Sequence, residues 1–251
     1  MTKTDALTLT SNDGALPAAK RFCPPNATDT PRDLFYHSLA NLKADVLGDK
    51  PAVYGRLRRR TAPYNEILIY TDGSCLDQGS HRDTSARRAG CSWVFATDST
   101  DHDGPVGSSC RLEQRGPTGQ THSQTSNCAQ LRALIGALEY PIVLEGEGWK
   151  NKGWKRVVIA TDSSSVVNGI TEWVTTWQGR GWKNSAGKPV ANHDLWERLL
   201  ALVNRKENVV VSFWSIPRAL NTLADASAKD AAESMEAVED SFGGFADGTR
   251  P

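Results

Sequence analysis

Two runs of strand-forming residues, EILIYTDGS at 66–74 and RVVIATDSS at 156–164, each break off at a Thr-Asp pair. Short apolar runs rich in β-branched residues fit strands buried in a sheet, and in both the aspartate stands where the strand gives way to the next element. AGCSWVFATD at 89–98 is a further strand closed by polar residues, so the sheet opens with antiparallel strands. The stretch 97–120 is full of Asp, Gly, Ser and Pro and has room for one short strand, at 108–115. In SNCAQLRALIGALEY, at 126–140, Leu131, Leu134, Ile135 and Leu138 fall on one helical stripe, and Pro141 is expected to end that helix. A helix is expected to start at Ser163, DLWERLLALV at 194–203 is an amphipathic helix, and NVVVSFWSIP at 208–217 is another strand. Asn221 is a good N-cap for a last helix running through ADASAKDAAESME. The order βββαβααβα predicts an α/β fold, a mixed sheet flanked by helices.

Of the 251 residues, 39% are hydrophobic and 23% charged, and no apolar run approaches the length of a membrane span. Neither a secretory nor a transit peptide is legible in MTKTDALTLTSNDG, so an intracellular protein of nucleus or cytoplasm is expected. Lys plus Arg and Asp plus Glu both number 29, so binding to nucleic acid has to rest on a local basic face. The five cysteines never form a C-x-x-C pair, which argues against a disulfide framework and a zinc site. Residues 1–61 lack sustained periodicity, although DLFYHSLANLKADVL could form one helix, and they read as an arm that is partly disordered or one helix. Its cluster Arg56, Arg58, Arg59 and Arg60 reads as a solvated segment, a nuclear address or a phosphate contact being the alternatives. The domain is expected over 62–240 and a tail over 241–251.

Three aspartates sit at element junctions: Asp72, Asp162 and Asp225. Singly, each has an ordinary explanation: Asp72 as a turn former, Asp162 as an N-cap, Asp225 as the partner of Lys229 at i+4 and of the helix dipole. Read in order, YTDGSC, TSNCAQLRALIGALE, ATDSSSVVNGITEWVTTWQGRGWKNSAGKPVANHDLWERL and IPRALNTLADASAK resemble the ribonuclease H type 1 family, in the flavour of its fungal members, over roughly 170 residues. The resemblance implies a ribonuclease H-like fold with a five-stranded mixed sheet on which four carboxylates converge. They map to Asp72, position 130, Asp162 and Asp225. It further implies an endonuclease that hydrolyses the RNA strand of RNA/DNA hybrids with two Mg²⁺ ions, Mn²⁺ being the other candidate, and that acts as a monomer. Hard divalent cations take oxygen ligands, and a pair of them can activate a water and stabilise the leaving 3′ oxygen.

Position 130, where the family has glutamate, is Gln130. Its amide oxygen can ligate a metal but brings no charge. Whether introduced or inherited, the change predicts impaired cleavage, and the alternative is an inactive hybrid-binding module of the same fold. The loop before the last helix, where many members carry a histidine, has Arg218, which can bind phosphate but cannot shuttle a proton. Between Trp177 and His193 the cations Arg180, Lys183 and Lys188 occur with no acid. By resemblance, Trp173, Trp177, Lys183 and Ser185 belong to a basic channel for the DNA strand, Thr125 and Asn192 to a phosphate pocket, and Gln78, Ser126 and Asn127 to contacts with ribose 2′-hydroxyls.

Overall fold

The computed structural model describes residues 16–37, 57–59, 66–76, 87–96, 106–144, 156–205, 209–234 and 242–243. At its centre lies β4 (Glu66–Leu76), the first of the two Thr-Asp strands. It pairs in parallel with β7 (Arg156–Thr161) from Glu66 to Tyr70, and antiparallel with β5 (Arg88–Ala96) from Tyr70 to Leu76. Beyond these, β6 (Val106–Arg111) pairs antiparallel with β5, and β8 (Val210–Ser215) pairs in parallel with β7. These are the five expected strands in a mixed arrangement.

Three short strands enlarge the sheet to eight, and all come from the stretch read as an arm. β1 (Lys20–Arg21) pairs in parallel with β8, while β2 (Phe35–His37) and β3 (Leu57–Arg59) add antiparallel beside the first half of β4. Of the helix expected over 33–47, the described part is a single turn, α1 (Pro31–Leu34), giving way to strand. Residues 38–47 lie outside the described residues. Strand pairing displaces helix here because Phe35 finds a buried place beside Leu68, Tyr70 and Trp214, which a short local helix would not provide.

Alternation divides the strands between two faces. On one, Ile67, Ile69, Val157, Ile159, Val211 and Phe213 meet the long α2 (Ser126–Leu144) and α5 (His193–Arg205). On the other, Leu68, Tyr70, Val158, Ala160 and Trp214 meet α6 (Thr222–Glu233) through Ala224. α2 does not stop at Pro141 but continues to Leu144, although the proline lacks the N–H that would bond to Ala137 and sets its ring against that carbonyl. After β7 the chain forms α3 (Ser164–Asn168), one π-helical turn (Gly169–Trp173) and α4 (Val174–Gly179) without a break. Among the described residues no helix is long and apolar enough to cross a membrane.

Candidate active site and nucleic-acid interface

Asp72 lies two residues beyond Tyr70, on the face of β4 that meets α6, and is buried. Its Oδ1 accepts the backbone N–H of Gly73 at 2.7 Å. Asp162 follows the end of β7, whose Ala160 is in register with Tyr70, so the parallel pairing brings the two aspartates to the same sheet edge. Asp225 arrives from the first turn of α6. That helix is seated by Ser92, the cross-strand partner of Asp72, whose hydroxyl donates to the carbonyl of Ala224 at 2.6 Å. Gln130 is placed by a backbone contact: a Cβ on Gly73 would collide with the amide N of Gln130 and lie 2.7 Å from its Cα. Only glycine lets β4 and α2 approach this closely. The three aspartates and position 130 are thus gathered at one end of the sheet.

Electrostatics follows from this gathering. The Asp72 carboxyl is pushed up to about 7, first by burial, then by the charge of Asp162 and, less, of Asp225; the Gly73 N–H and Arg218 pull the other way. Burial also acts on Asp225, but the hydrogen bond from Lys229 and the charge of Arg218 outweigh it and lower its pKa. Both oxygens of Asp225 are engaged, Oδ1 by Arg218 at 2.5 Å and Oδ2 by Lys229 one turn along the helix. The i+4 pairing with Lys229 is the one the sequence suggested. Among the described residues, no three acidic, histidine or cysteine side chains are grouped closely enough in this arrangement to hold a metal ion.

The Asp72 shift has a sign that can be tested. The unfolded chain releases this proton near the ordinary aspartate value of 3.8, the folded metal-free chain near 7, so the folded state binds more protons between those values. Stability contributed at this site is therefore full below pH 4, falls as pH rises to 7, and stays lost above. Asp72→Asn removes the loss. In a chelator at pH 8 the variant is expected to melt roughly 5 °C or more above the unaltered protein, the gap closing by pH 4. A gap of equal size at both pH values would show that the carboxyl of Asp72 does not resist ionisation in the fold.

Asn221 occupies the N-cap position of α6, as expected, but makes no side-chain cap. Its Nδ2 reaches across instead to the carbonyl of Thr71 at 3.1 Å and to Oδ1 of Asp162 at 3.3 Å, and its buried Oδ1 has no hydrogen-bond partner among the described residues. This cross-link was not legible from local sequence, because an asparagine ahead of a helix is ordinarily satisfied by the helix itself.

A second group of residues forms around the start of α2. Thr125 Oγ1 accepts the amide of Cys128 at 3.2 Å, a helix cap, and Ser126 and Asn127 open the helix half-buried. Asn127 Oδ1 accepts from Asn192 Nδ2 at 2.9 Å, and Asn192 holds a left-handed φ of 56° ahead of α5. The phosphate-pocket and ribose positions read from sequence therefore share one surface, except Gln78, which lies outside the described residues. Behind that surface sits a group that sequence reasoning missed: His122 Nε2 lies 2.8 Å from Asp194 Oδ2, and its Nδ1 lies 3.4 Å from Cys128 Sγ. Three residue types spread over 72 positions give no local signal. Burial, helped by Asp194 and Glu113, pushes the Cys128 thiol up to about 12, so it stays protonated and the group ties loop to helix rather than supplying a nucleophile.

The basic stretch is a tight loop. Gly181 and Trp182 take φ of 61° and 58°, Lys183 bridges to Pro189, and Asn184 Oδ1 accepts the amides of Ala186 and Lys188, each at 3.0 Å. Arg180, Lys183, Ser185 and Lys188 are exposed, while Trp182 turns inward against His193 with ring centroids 4.2 Å apart. Trp173 is 41% exposed. Trp177, 5.9 Å from it, packs edge-on against the buried Trp196 at 5.3 Å and joins the core.

Residues 64–233 match the family model described as RNase H. Ribonuclease H of Treponema pallidum is 34% identical over 142 residues, covering 55% of this chain and 73% of that protein. Ribonuclease H of Neorickettsia sennetsu is 33% identical over 139 residues, covering 53% of this chain and 70% of that protein. A crystal structure of LC9-RNase H1, titled a type 1 RNase H with the type 2 active-site motif, is 28% identical with a TM-score of 0.45, covering 66% of this chain and 72% of that one.

Proposed function

The chain belongs to the RNase H family, and from that premise we propose that it binds RNA/DNA hybrids and hydrolyses their RNA strand, slowly in the form that carries Gln130. The observation that carries this reading is the convergence of Asp72, Asp162 and Asp225 beside position 130. The charges of Asp162 and Asp225 raise the pKa of Asp72, and a divalent cation bound among them would relieve that repulsion. Asp72, Asp162, Asp225 and the amide oxygen of Gln130 would hold the ions, which when bound activate a water and stabilise the leaving 3′ oxygen. The residues' own part is to present oxygens from a rigid sheet edge, and Asp225 has to leave Arg218 and Lys229 to take its share. Once released, Arg218 is free to meet a phosphate.

The RNA strand is assigned to the start of α2, where Ser126 and Asn127 offer groups for 2′-hydroxyls. The DNA strand is assigned to Trp173, Trp177 and the exposed cations of the 180–188 loop, with Thr125 and Asn192 at a phosphate. A labelled hybrid is expected to bind more tightly than duplex DNA of the same sequence, log affinity falling linearly with log salt. Equal affinity for the two duplexes at fixed salt would overturn the reading. The two tryptophans should separate. Trp173→Ala is expected to weaken hybrid binding with the melting temperature unchanged, whereas Trp177→Ala also loses its packing on Trp196 and about 2 kcal/mol of stability. Thermal melts and fluorescence anisotropy on the two variants check this. A purely binding role, without cleavage, is the second reading. The uncharged Gln130 and the two cations on Asp225 favour it.

A further inference from the structure

Residues 16–22 precede the RNase H match and run along the helix that carries Trp173 and Trp177. The contacts are specific and polar. The amide and carbonyl of Leu16 form a two-way pair with the side chain of Gln178, both bonds 2.8 Å. The amide of Ala19 donates to the carbonyl of Ile170 at 3.1 Å, inside the π-helical turn. That turn sends the N–H of Val174 back to Gly169 instead of to Ile170, so Ile170 is the carbonyl the helix itself leaves short. One nitrogen of Arg21 then reaches Asn168 Oδ1 at 2.6 Å, Thr171 Oγ1 at 3.2 Å and Glu172 Oε1 at 2.8 Å. The other side of the segment is fixed to the sheet: Arg21 is in register with Phe213, the amide of Phe22 donates to Phe213 at 2.8 Å, and the Phe22 ring lies 4.8 Å from that of Trp214.

Glu172 gives these contacts a meaning beyond packing. From Ser163 to His193 it is the only acidic residue, and it immediately precedes the exposed Trp173. An uncompensated carboxylate there would repel a phosphodiester strand laid against Trp173 and the cations of the 180–188 loop. Arg21 meets that carboxylate and spans the π turn with the same group.

We propose that Arg21 is a positioning residue for the nucleic acid: it holds the π-helical turn in the register that presents Trp173, and it offsets the one carboxylate of the 163–193 stretch. The inference rests on the nucleic-acid reading above and assigns substrate affinity to a segment outside the family's own span. Because it concerns binding, it can be tested on the chain as it exists, with Gln130 in place.

The experiment measures anisotropy titrations of a labelled RNA/DNA hybrid and of duplex DNA at fixed salt, with amide hydrogen exchange over residues 168–179. Four proteins are compared: the unaltered chain, Arg21→Ala, Gln178→Ala and Arg21→Ala combined with Glu172→Gln. Arg21→Ala is expected to bind hybrid about fivefold more weakly or worse and to exchange faster across the π turn. Removing the carboxylate as well should recover part of the affinity but not the protection, which separates the charge from the bracing. Gln178→Ala keeps the charge balance and should lose protection with a smaller loss of binding. Hybrid binding by Arg21→Ala equal to that of the unaltered chain overturns the inference, as does a double variant that regains nothing. Failure of the functional reading has a different signature: an unaltered chain that does not distinguish hybrid from duplex DNA.

Discussion

Gln130→Glu is expected to raise metal-dependent cleavage of the RNA strand by about 10²-fold or more, the scale on which a positioned catalytic group acts. Three aspartates and one amide set three formal negative charges against the four positive charges of two divalent ions. A glutamate restores the balance where α2 meets β4, beside Asp72. The substitution changes one polar end group on a half-buried side chain, and the backbone contact with Gly73 that locates residue 130 is untouched. The gain is thus chemical and not a repacking. Single-turnover cleavage of a labelled hybrid at saturating Mg²⁺ measures it, and a further Asp72→Asn change should abolish it. Equal rates for the chain as it stands and for Gln130→Glu would mean that residue 130 is not a metal-site residue.

The largest expected effect on stability lies away from that site. Arg132, in α2, is 1% exposed and meets Glu113 through a forked pair, Nε at 3.0 and 3.1 Å from the two carboxylate oxygens and Nη2 at 2.8 Å from one of them. The carbonyl of Gly243 accepts from the same Nη2 at 2.9 Å, and the Phe242 ring lies 4.4 Å from the guanidinium carbon. Glu113→Ala takes the hydrogen-bonded carboxylate from a guanidinium that stays charged because arginine is intrinsically so strong a base, and leaves it with Glu139, whose Oε2 lies 3.9 Å from Nη1. The cost is expected to be about 3–5 kcal/mol, or roughly 10 °C in melting temperature. Replacing both partners, with Glu113→Leu and Arg132→Met, should cost less than Glu113→Ala alone. A double variant that melts lower than the single one would show the pair to be stabilising in its own right.

What could be read from the sequence was whatever repeats with a short period or sits in a contiguous motif. β4, β7, β8, α2, α5 and α6 all declared themselves by apolar spacing, and Asp162 and Asp225 by their place at element ends; Asp72 does not end its strand, because β4 runs on to Leu76 with Asp72 in register with Ser92. The structure brings those aspartates together. Three features escaped for one reason, that their partners are far away in the chain. β1 is two residues long and is held by residues 212 and 213, so no local pattern exists to find. Asn221 has the right residue and position for a cap, yet its side chain answers to Thr71 and Asp162. Trp173 and Trp177 were assigned to one channel by resemblance, and helical spacing gave no sign that Trp177 also leans on Trp196.

The seam between Gly73 and α2 joins main chain to main chain, and nothing in it depends on what stands at the tip of the residue 130 side chain. The backbone seam therefore requires glycine at 73, while it accepts either an acid or an amide at the end of the residue 130 side chain. Where the two elements meet is thus specified by Gly73, and what the meeting point offers to solvent or ligand is left to the residue 130 side chain.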